Sequence, residues 1–120
     1  MDRGPRLICD AAQVVEGGKG VRFTIERYGR TEHAFLVRYD GRVHAYLNRC
    51  AHVPVQLDWM EGQFFDLSGL YLVCSTHGAA YLPHNGYCIS GPCSGRSLVR
   101  LQIEERDGNV YLIEQEGTHA

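Results

Sequence analysis

Two short stretches of this chain hold the residues best suited to chemistry, Cys50-Ala51-His52 and Cys74-Ser75-Thr76-His77. Each sets one thiolate and one imidazole within reach of a single metal centre, and the two half-sites begin 24 positions apart, at Cys50 and Cys74. Together they supply two sulfur and two nitrogen ligands, the set expected for zinc or for an iron–sulfur cluster with mixed ligation. Structural zinc sites usually pair Cys with Cys across a gap of about two to four residues, and His with His across about three to five. Here each half-site is mixed and the first gap is one residue, which favours the cluster over mononuclear zinc. A lone Cys is usually a small buried hydrophobe, and a lone His an ordinary surface or core residue. It is the placement of all four in two loops rich in Gly or Pro that lifts the metal reading above that plain alternative.

Cys-x-His followed by Cys-x-x-His resembles the Rieske ferredoxin family, whose [2Fe–2S] centre has two Cys on one iron and two His on the other. Gly78, directly after His77, and Gly91-Pro92-Cys93 resemble that family's second cluster loop and its covering proline loop. The likeness runs from about Val21 to Ile113. It implies that Cys50 and Cys74 hold an inner iron, that His52 and His77 hold an outer iron near the surface, and that Gly78, Tyr81 and Pro92 surround the centre. It also implies that a solvent-exposed imidazole nitrogen would couple electron uptake to proton uptake at alkaline pH.

The resemblance further implies a potential. With two ferric ions, two sulfides, two thiolates and two neutral imidazoles the core charge sums to zero, whereas an all-thiolate cluster starts more negative and is harder to reduce. Rieske centres accordingly span roughly −150 to +300 mV, against about −400 mV for plant-type ferredoxins. High-potential members carry a Cys pair bridging the two loops, with a Ser and a Tyr donating to sulfur. The matching positions here hold Val55 and Thr76 for the pair and Ala79 for the Ser, and only Tyr81 is kept. Hydrogen bonds to sulfur stabilise the reduced core, so the low end of the range is expected.

The elements that must position these residues read as β-structure throughout. Val21 to Arg27 alternates, with Val21, Phe23 and Ile25 on one side. Ala34 to Tyr39 and Arg42 to Leu47 flank Asp40-Gly41, a hairpin signal, and Asn48-Arg49 then delivers Cys50 on a loop. Val53 to Leu70 is a long connection with a helical turn expected around Val55 to Met60, and it is a few residues longer than the usual Rieske spacing. Leu70 to Cys74 is a strand carrying the second half-site. Ala79 to Leu82 and Tyr87 to Ile89 flank Asn85-Gly86, a second type I′ signal, and Ser97 to Glu105 pairs back with Val110 to Glu114 across Asp107-Gly108. Leu7-Ile8-Cys9 is a candidate edge strand, Gly17 to Gly20 a flexible turn, and Gln115 to Ala120 a frayed tail. The fold class expected is all-β: an antiparallel Rieske-type sandwich or barrel, one domain over residues 1–120, with a small cluster-binding subdomain at about 50–90.

Length and composition exclude several function classes. A chain of 120 residues is one domain able to bury about two thirds of its unfolded surface. Net charge is −2, from 12 basic and 14 acidic residues without long runs, which gives nucleic-acid binding no basic face. No apolar stretch approaches the roughly 18 residues of a membrane span, and the first residues lack a signal-peptide core, so a cytoplasmic, soluble protein is expected. An odd count of five cysteines argues for metal binding over a disulfide framework. Cys9, Cys88 and Cys93 are expected as buried free thiols, pairing of Cys88 with Cys93 under oxidation being the lesser option. His33, His44, His84 and His119 are expected to be structural or solvent-facing. Trp59, Phe64 and Phe65 are expected to pack the connection or, alternatively, to form a docking face.

No catalytic constellation is visible beside the half-sites. The expected function is therefore a ferredoxin passing single electrons through a [2Fe–2S] cluster from a reductase to an oxygenase or similar acceptor. Two alternatives stand beside it: a small Rieske-like subunit of a larger oxidoreductase such as nitrite reductase, and a non-redox zinc or scaffold protein.

Overall fold

The computed structural model describes residues 5–51, 55–58, 60–74, 78–93 and 95–113. His52, Trp59, Thr76, His77, His119 and the tail lie outside the described residues. Within them the chain is almost entirely β, with one short 3-10 helix at Ala11–Gln13. The strands are β1 (Pro5–Asp10), β2 (Val21–Arg27), β3 (Arg30–Tyr39), β4 (Arg42–Leu47), β5 (Leu72–Val73), β6 (Ala80–Tyr81), β7 (Cys88–Ser90), β8 (Arg100–Leu101), β9 (Ile103–Arg106) and β10 (Asn109–Ile113). They form three sheets, ordered β2-β3-β4-β8, β1-β10-β9 and β5-β6-β7, and every strand pairing is antiparallel. Among the described residues no helix is long and apolar enough to cross a membrane.

The sheet containing β3 and β4 is the centre of the molecule because it buries both faces. Ala34, Phe35, Leu36 and Val37 are all fully buried, so this strand reads as an unbroken apolar run and not as an alternation, as expected for a strand covered on both sides. Its pleat divides the run. Leu36 packs with Ala45 and Val110, and Ala34 with Leu47 and Leu112, under the β1-β10-β9 sheet. Phe35 and Val37 point the other way, into a core shared with Tyr46, Leu57, Phe64, Leu72, Cys50, Cys74 and Tyr81. Arg38 ties the layers at the edge: its guanidinium donates to the carbonyls of Val14 and Ala11 at 2.8 and 3.0 Å and pairs with Glu105 at 3.0 Å.

Three two-residue turns set the register. Tyr28-Gly29, Asp40-Gly41 and Asp107-Gly108 each have both central φ angles positive, between 52° and 79°, the type I′ geometry whose twist matches that of the flanking strands. Asp40-Gly41 gains a further brace, since its two backbone N–H groups donate to the Glu16 carboxylate at 2.6 and 2.8 Å. Asn85-Gly86 departs from the expected two-residue hairpin. Of its two residues only Gly86 has positive φ, and the strand partners are Tyr81 and Cys88, which leaves a six-residue loop. Its N–H donates to Leu82 O at 2.7 Å. A Cβ at Gly86 would come within 2.8 Å of the Tyr46 ring, and the Tyr46 hydroxyl donates to Pro83 O at 2.6 Å. The loop is thus moulded on Tyr46, whose phenol pKa burial pushes up to about 12.

Two further expectations are corrected. The described part of residues 55–60 is irregular, without the helical turn. The alternating run Ser97 to Glu105 breaks at Gln102: β8 joins β4, whereas β9 crosses to β10.

Candidate metal centre

Cys50 follows β4 after a polar cap. Asn48 is buried, and its side-chain amide donates to Asp58 at 2.9 Å while its oxygen accepts from Leu57 N–H at 2.8 Å. Asp58 accepts in turn from Gly62 N–H at 2.9 Å and faces the Arg22 guanidinium at 3.5 Å. In the sequence Asn48 marks only the end of a hairpin, and Asp58 carries no signal. Their role is visible only once the connection folds back over β4. Every side-chain polar atom of this Asn48–Asp58 pair then finds a partner, as a buried network requires.

Backbone hydrogen bonds between described residues bracket each candidate half-site. Cys50 N–H donates to Val55 O at 2.8 Å, which brackets the segment containing His52. Cys74 N–H donates to Ala79 O at 2.9 Å, and Gly78 N–H returns to Cys74 O at 2.7 Å, which brackets the segment containing His77. Gly78 closes that turn at φ +71°, a conformation that glycine adopts without steric cost. The structure brings Cys50 and Cys74 into one core cluster, 3% and 0% exposed. His52 and His77 lie outside the described residues.

Tyr81 stands beside Cys50. Its hydroxyl lies 3.1 Å from Cys50 Sγ, accepts from Ala51 N–H at 3.0 Å, and lies 3.2 Å from Cys93 Sγ. Burial raises its pKa, and the hydrogen bond with Cys50 raises it further, so the phenol keeps its proton and can donate to sulfur. Gly91 and Pro92 are exposed. A Cβ on Gly91 would reach 2.8 Å from Ala79 Cα, so that loop lies directly against the second half-site. Ala79 itself is fully buried and offers no side-chain donor.

Cys88 and Cys93, expected as free thiols, are joined by a disulfide, which spans the Gly91-Pro92 loop. β7 and the loop return beside one another, Cys88 N–H donating to Arg96 O at 2.7 Å, so the two buried side chains meet. Phe64 is likewise settled as core: it is fully buried and stacked on Phe35 with ring centroids 3.9 Å apart. Phe65 is half-buried against the same cluster. Of the other histidines, His33 and His84 are exposed, and His44 is buried in β4 with Nδ1 unpartnered.

Two buried sulfurs with a protonated phenol at hydrogen-bonding distance from one of them suit a thiolate-held cluster, because a donor aimed at sulfur stabilises added negative charge. Comparison with known proteins points the same way. The family described as the Rieske [2Fe-2S] domain matches residues 5–102. No curated protein sequence matches the chain. Among solved structures, the terminal oxygenase of carbazole 1,9a-dioxygenase from Novosphingobium sp. KA1 is 25% identical with a TM-score of 0.70, covering 96% of this chain and 31% of that one. The ferredoxin of carbazole 1,9a-dioxygenase from Nocardioides aromaticivorans IC177 is 18% identical with a TM-score of 0.70, covering 94% and 100%. A complex of reduced oxygenase and oxidised ferredoxin of carbazole 1,9a-dioxygenase gives 23% identity and a TM-score of 0.68, covering 89% and 90%. This chain thus spans less than a third of the oxygenase chain that it resembles. With its all-β fold, two buried cysteines in one core and a family match over most of its length, the chain belongs to the Rieske [2Fe–2S] domain family, electron-transfer domains whose cofactor is a [2Fe–2S] cluster.

Proposed function

We propose that this chain is a cytoplasmic Rieske-type ferredoxin that takes single electrons from a reductase and passes them to an oxygenase. Cys50 and Cys74 hold one iron of the cluster, and His52 and His77 hold the other. When bound, the cluster accepts and returns one electron at a time. The observation that carries the reading is that Cys50 and Cys74 lie in one buried core, with Tyr81 against Cys50. The rest of the chain serves that site as a single domain, in which residues of about 50–90 are the cluster-binding part. The oxygenase acceptor is proposed by analogy with the complex of oxygenase and ferredoxin.

The chain's residues act by position and charge. Burial keeps water from the two thiolates, and Tyr81 offers its proton to Cys50. The buried Ala79 leaves the second half-site without the hydroxyl donor of high-potential relatives, and Val55 stands where one of their bridging cysteines would be. Both features support a potential near the low end of roughly −150 to +300 mV.

The test is assembly under anaerobic conditions, followed by iron and acid-labile sulfide analysis, a visible spectrum and electron paramagnetic resonance of the reduced protein. Two irons and two sulfides per chain are expected, lost in Cys50→Ser and Cys74→Ser and retained in Cys9→Ser. Reduced protein is then mixed with a purified Rieske oxygenase, and single-turnover reoxidation is followed optically. A colourless protein, or a cluster that survives loss of Cys50, refutes the ligand assignment.

A further inference from the structure

The Cys88–Cys93 pair lies outside the four candidate ligands, yet one of its sulfurs touches the group that touches a ligand. Cys93 Sγ, Tyr81 Oη and Cys50 Sγ form a line of contacts at 3.2 and 3.1 Å. Both sulfurs of the pair also face an oxygen: Cys88 Sγ lies 3.2 Å from Ser90 O, and Cys93 Sγ lies 3.2 Å from Tyr81 Oη. A disulfide has no use for those oxygens, having no proton to donate. Two thiols do, because each S–H would find an acceptor already in place. The same backbone therefore accommodates the closed and the open pair.

We propose that Cys93 is a positioning residue for the cluster, and that the thiol state of the Cys88–Cys93 pair sets the cluster's potential through Tyr81. The proposal rests on the reading of Cys50 as a ligand. The Tyr81 oxygen has one proton and two lone pairs. Ala51 N–H occupies one lone pair, and the proton is available to sulfur. With the disulfide closed, that proton is shared between two acceptors, the Cys50 and Cys93 sulfurs. With the pair open, Cys93 S–H donates into the second lone pair and the phenol proton goes wholly to Cys50. Hydrogen bonds in such a chain polarise one another, so the donation to Cys50 also strengthens. A stronger donor at a ligand sulfur favours the reduced core, so opening the disulfide raises the potential.

Opening is a thiol–disulfide exchange with an external dithiol. The Cys88–Cys93 S–S bond breaks, two electrons and two protons arrive at the sulfurs, and the dithiol leaves as its own disulfide. In a reducing cytosol, disulfides that do form are usually transient or redox-sensing. Both sulfurs are fully buried, so the pair responds slowly and records sustained change in the thiol pool, not single turnovers.

The test compares two variants that lose the disulfide equally. Cys88→Ala leaves a Cys93 thiol beside Tyr81, whereas Cys93→Ala leaves no donor there. Spectroelectrochemical titration of the cluster-loaded proteins should give Cys88→Ala the higher potential by about threefold in the equilibrium constant for reduction, which at about 59 mV per decade is about 28 mV. Adding Tyr81→Phe to both should erase the difference. Wild-type protein opened anaerobically with a water-soluble phosphine, with two new thiols counted by mass spectrometry after alkylation, should move toward Cys88→Ala and provides the same comparison without any variant. Equal potentials in the two variants, or a difference that survives Tyr81→Phe, overturn this proposal alone. A cluster that still assembles in Cys50→Ser overturns the ligand assignment, and this proposal with it.

Discussion

Replacing Tyr81 with Phe tests the site most directly, because it removes one oxygen and leaves the buried ring in place. Three contacts go: the donor 3.1 Å from Cys50 Sγ, the acceptor of Ala51 N–H at 3.0 Å, and the contact with Cys93 Sγ at 3.2 Å. A hydrogen bond to a charged group is worth about 1.5–3 kcal/mol net. Only the part that differs between the oxidised and reduced core moves the potential. Taking that part as roughly 1 kcal/mol, the equilibrium constant for reduction falls by about 0.7 of a decade, and the potential by about 40 mV for one electron. The orphaned Ala51 N–H adds about 1 kcal/mol of destabilisation. Titration of wild type and Tyr81→Phe at one pH, with denaturant unfolding alongside, reads both effects. Tyr46→Phe is the control. It deletes an equally buried phenol that donates to Pro83 O, so it should cost stability and leave the potential where it was. A fully loaded Tyr81→Phe protein with an unchanged or higher potential would refute the argument, since the oxygen would then have no influence on the sulfur.

Other sites give independent outcomes. Asp58→Ala strips partners from Asn48, Gly62 N–H and Arg22 together. It should lower unfolding stability by about 2–4 kcal/mol, measured by denaturant titration, and should slow cluster assembly by loosening the loop that follows Asn48. Gly91→Ala, at φ +97° with a Cβ 2.8 Å from Ala79 Cα, should cost about 1–3 kcal/mol, and because Ala79 O receives Cys74 N–H it should speed bleaching of the cluster by a chelator. His44 has its pKa lowered by burial first, then by Arg100, His84 and Arg42, against a smaller opposing effect of Glu16. Its unfolded state therefore takes up a proton before its folded state does. Stability should be flat above about pH 6.5 and fall as pH drops below it toward the lowered folded-state pKa. His44→Phe should remove that component of the slope in unfolding measured from pH 5 to 8, and an unaltered slope would count against it.

The sequence was most legible where local chemistry and tertiary role agree. Asp40-Gly41 and Asp107-Gly108 announce their turns because Asp and Gly tolerate positive φ, and both turns form. Tyr28-Gly29 makes the same turn unannounced, because a bulky residue at φ 52° is uncommon and is held there by the register of β2 with β3. Asn85-Gly86 carries the stronger signal and forms a different turn, since the Tyr46 ring and the Tyr46–Pro83 hydrogen bond decide the path. The spacing of Cys50 and Cys74 singles out the two candidate half-sites. It could not show that Tyr81 serves both Cys50 and Ala51, nor that Cys88 meets Cys93. Those contacts depend on β6 and β7 lying side by side on the core, a long-range fact that no local pattern encodes.

The stretch between Cys50 and Cys74 shows how the spacing of two buried cysteines can tolerate a longer connection. Phe64 and Leu72 are fully buried, and Phe65 bridges to Leu72, so both ends of the excursion are pinned to the core. Between them the chain satisfies itself. Asp66 N–H donates to Tyr71 O at 2.9 Å, and the Asp66 carboxylate accepts from Ser68 at 2.6 Å and from Gly69 N–H at 3.1 Å. The Ser68 hydrogen bond, ahead of the backbone donors, holds the Asp66 carboxyl below its ordinary pKa. Leu67 at the tip is wholly exposed and packs on nothing that leads to Cys50 or Cys74. The closure entropy of a longer loop grows only logarithmically, about 0.6 kcal/mol per doubling of length, and among the described residues of this stretch no buried side-chain nitrogen or oxygen is left without a partner to add to it. The position of Cys74 is fixed by Leu72 in the core and by its own hydrogen bond to Ala79, not by the path the chain took from Cys50, so a few added residues change the outline of the molecule and leave the two sulfurs where β4 and β5 deliver them.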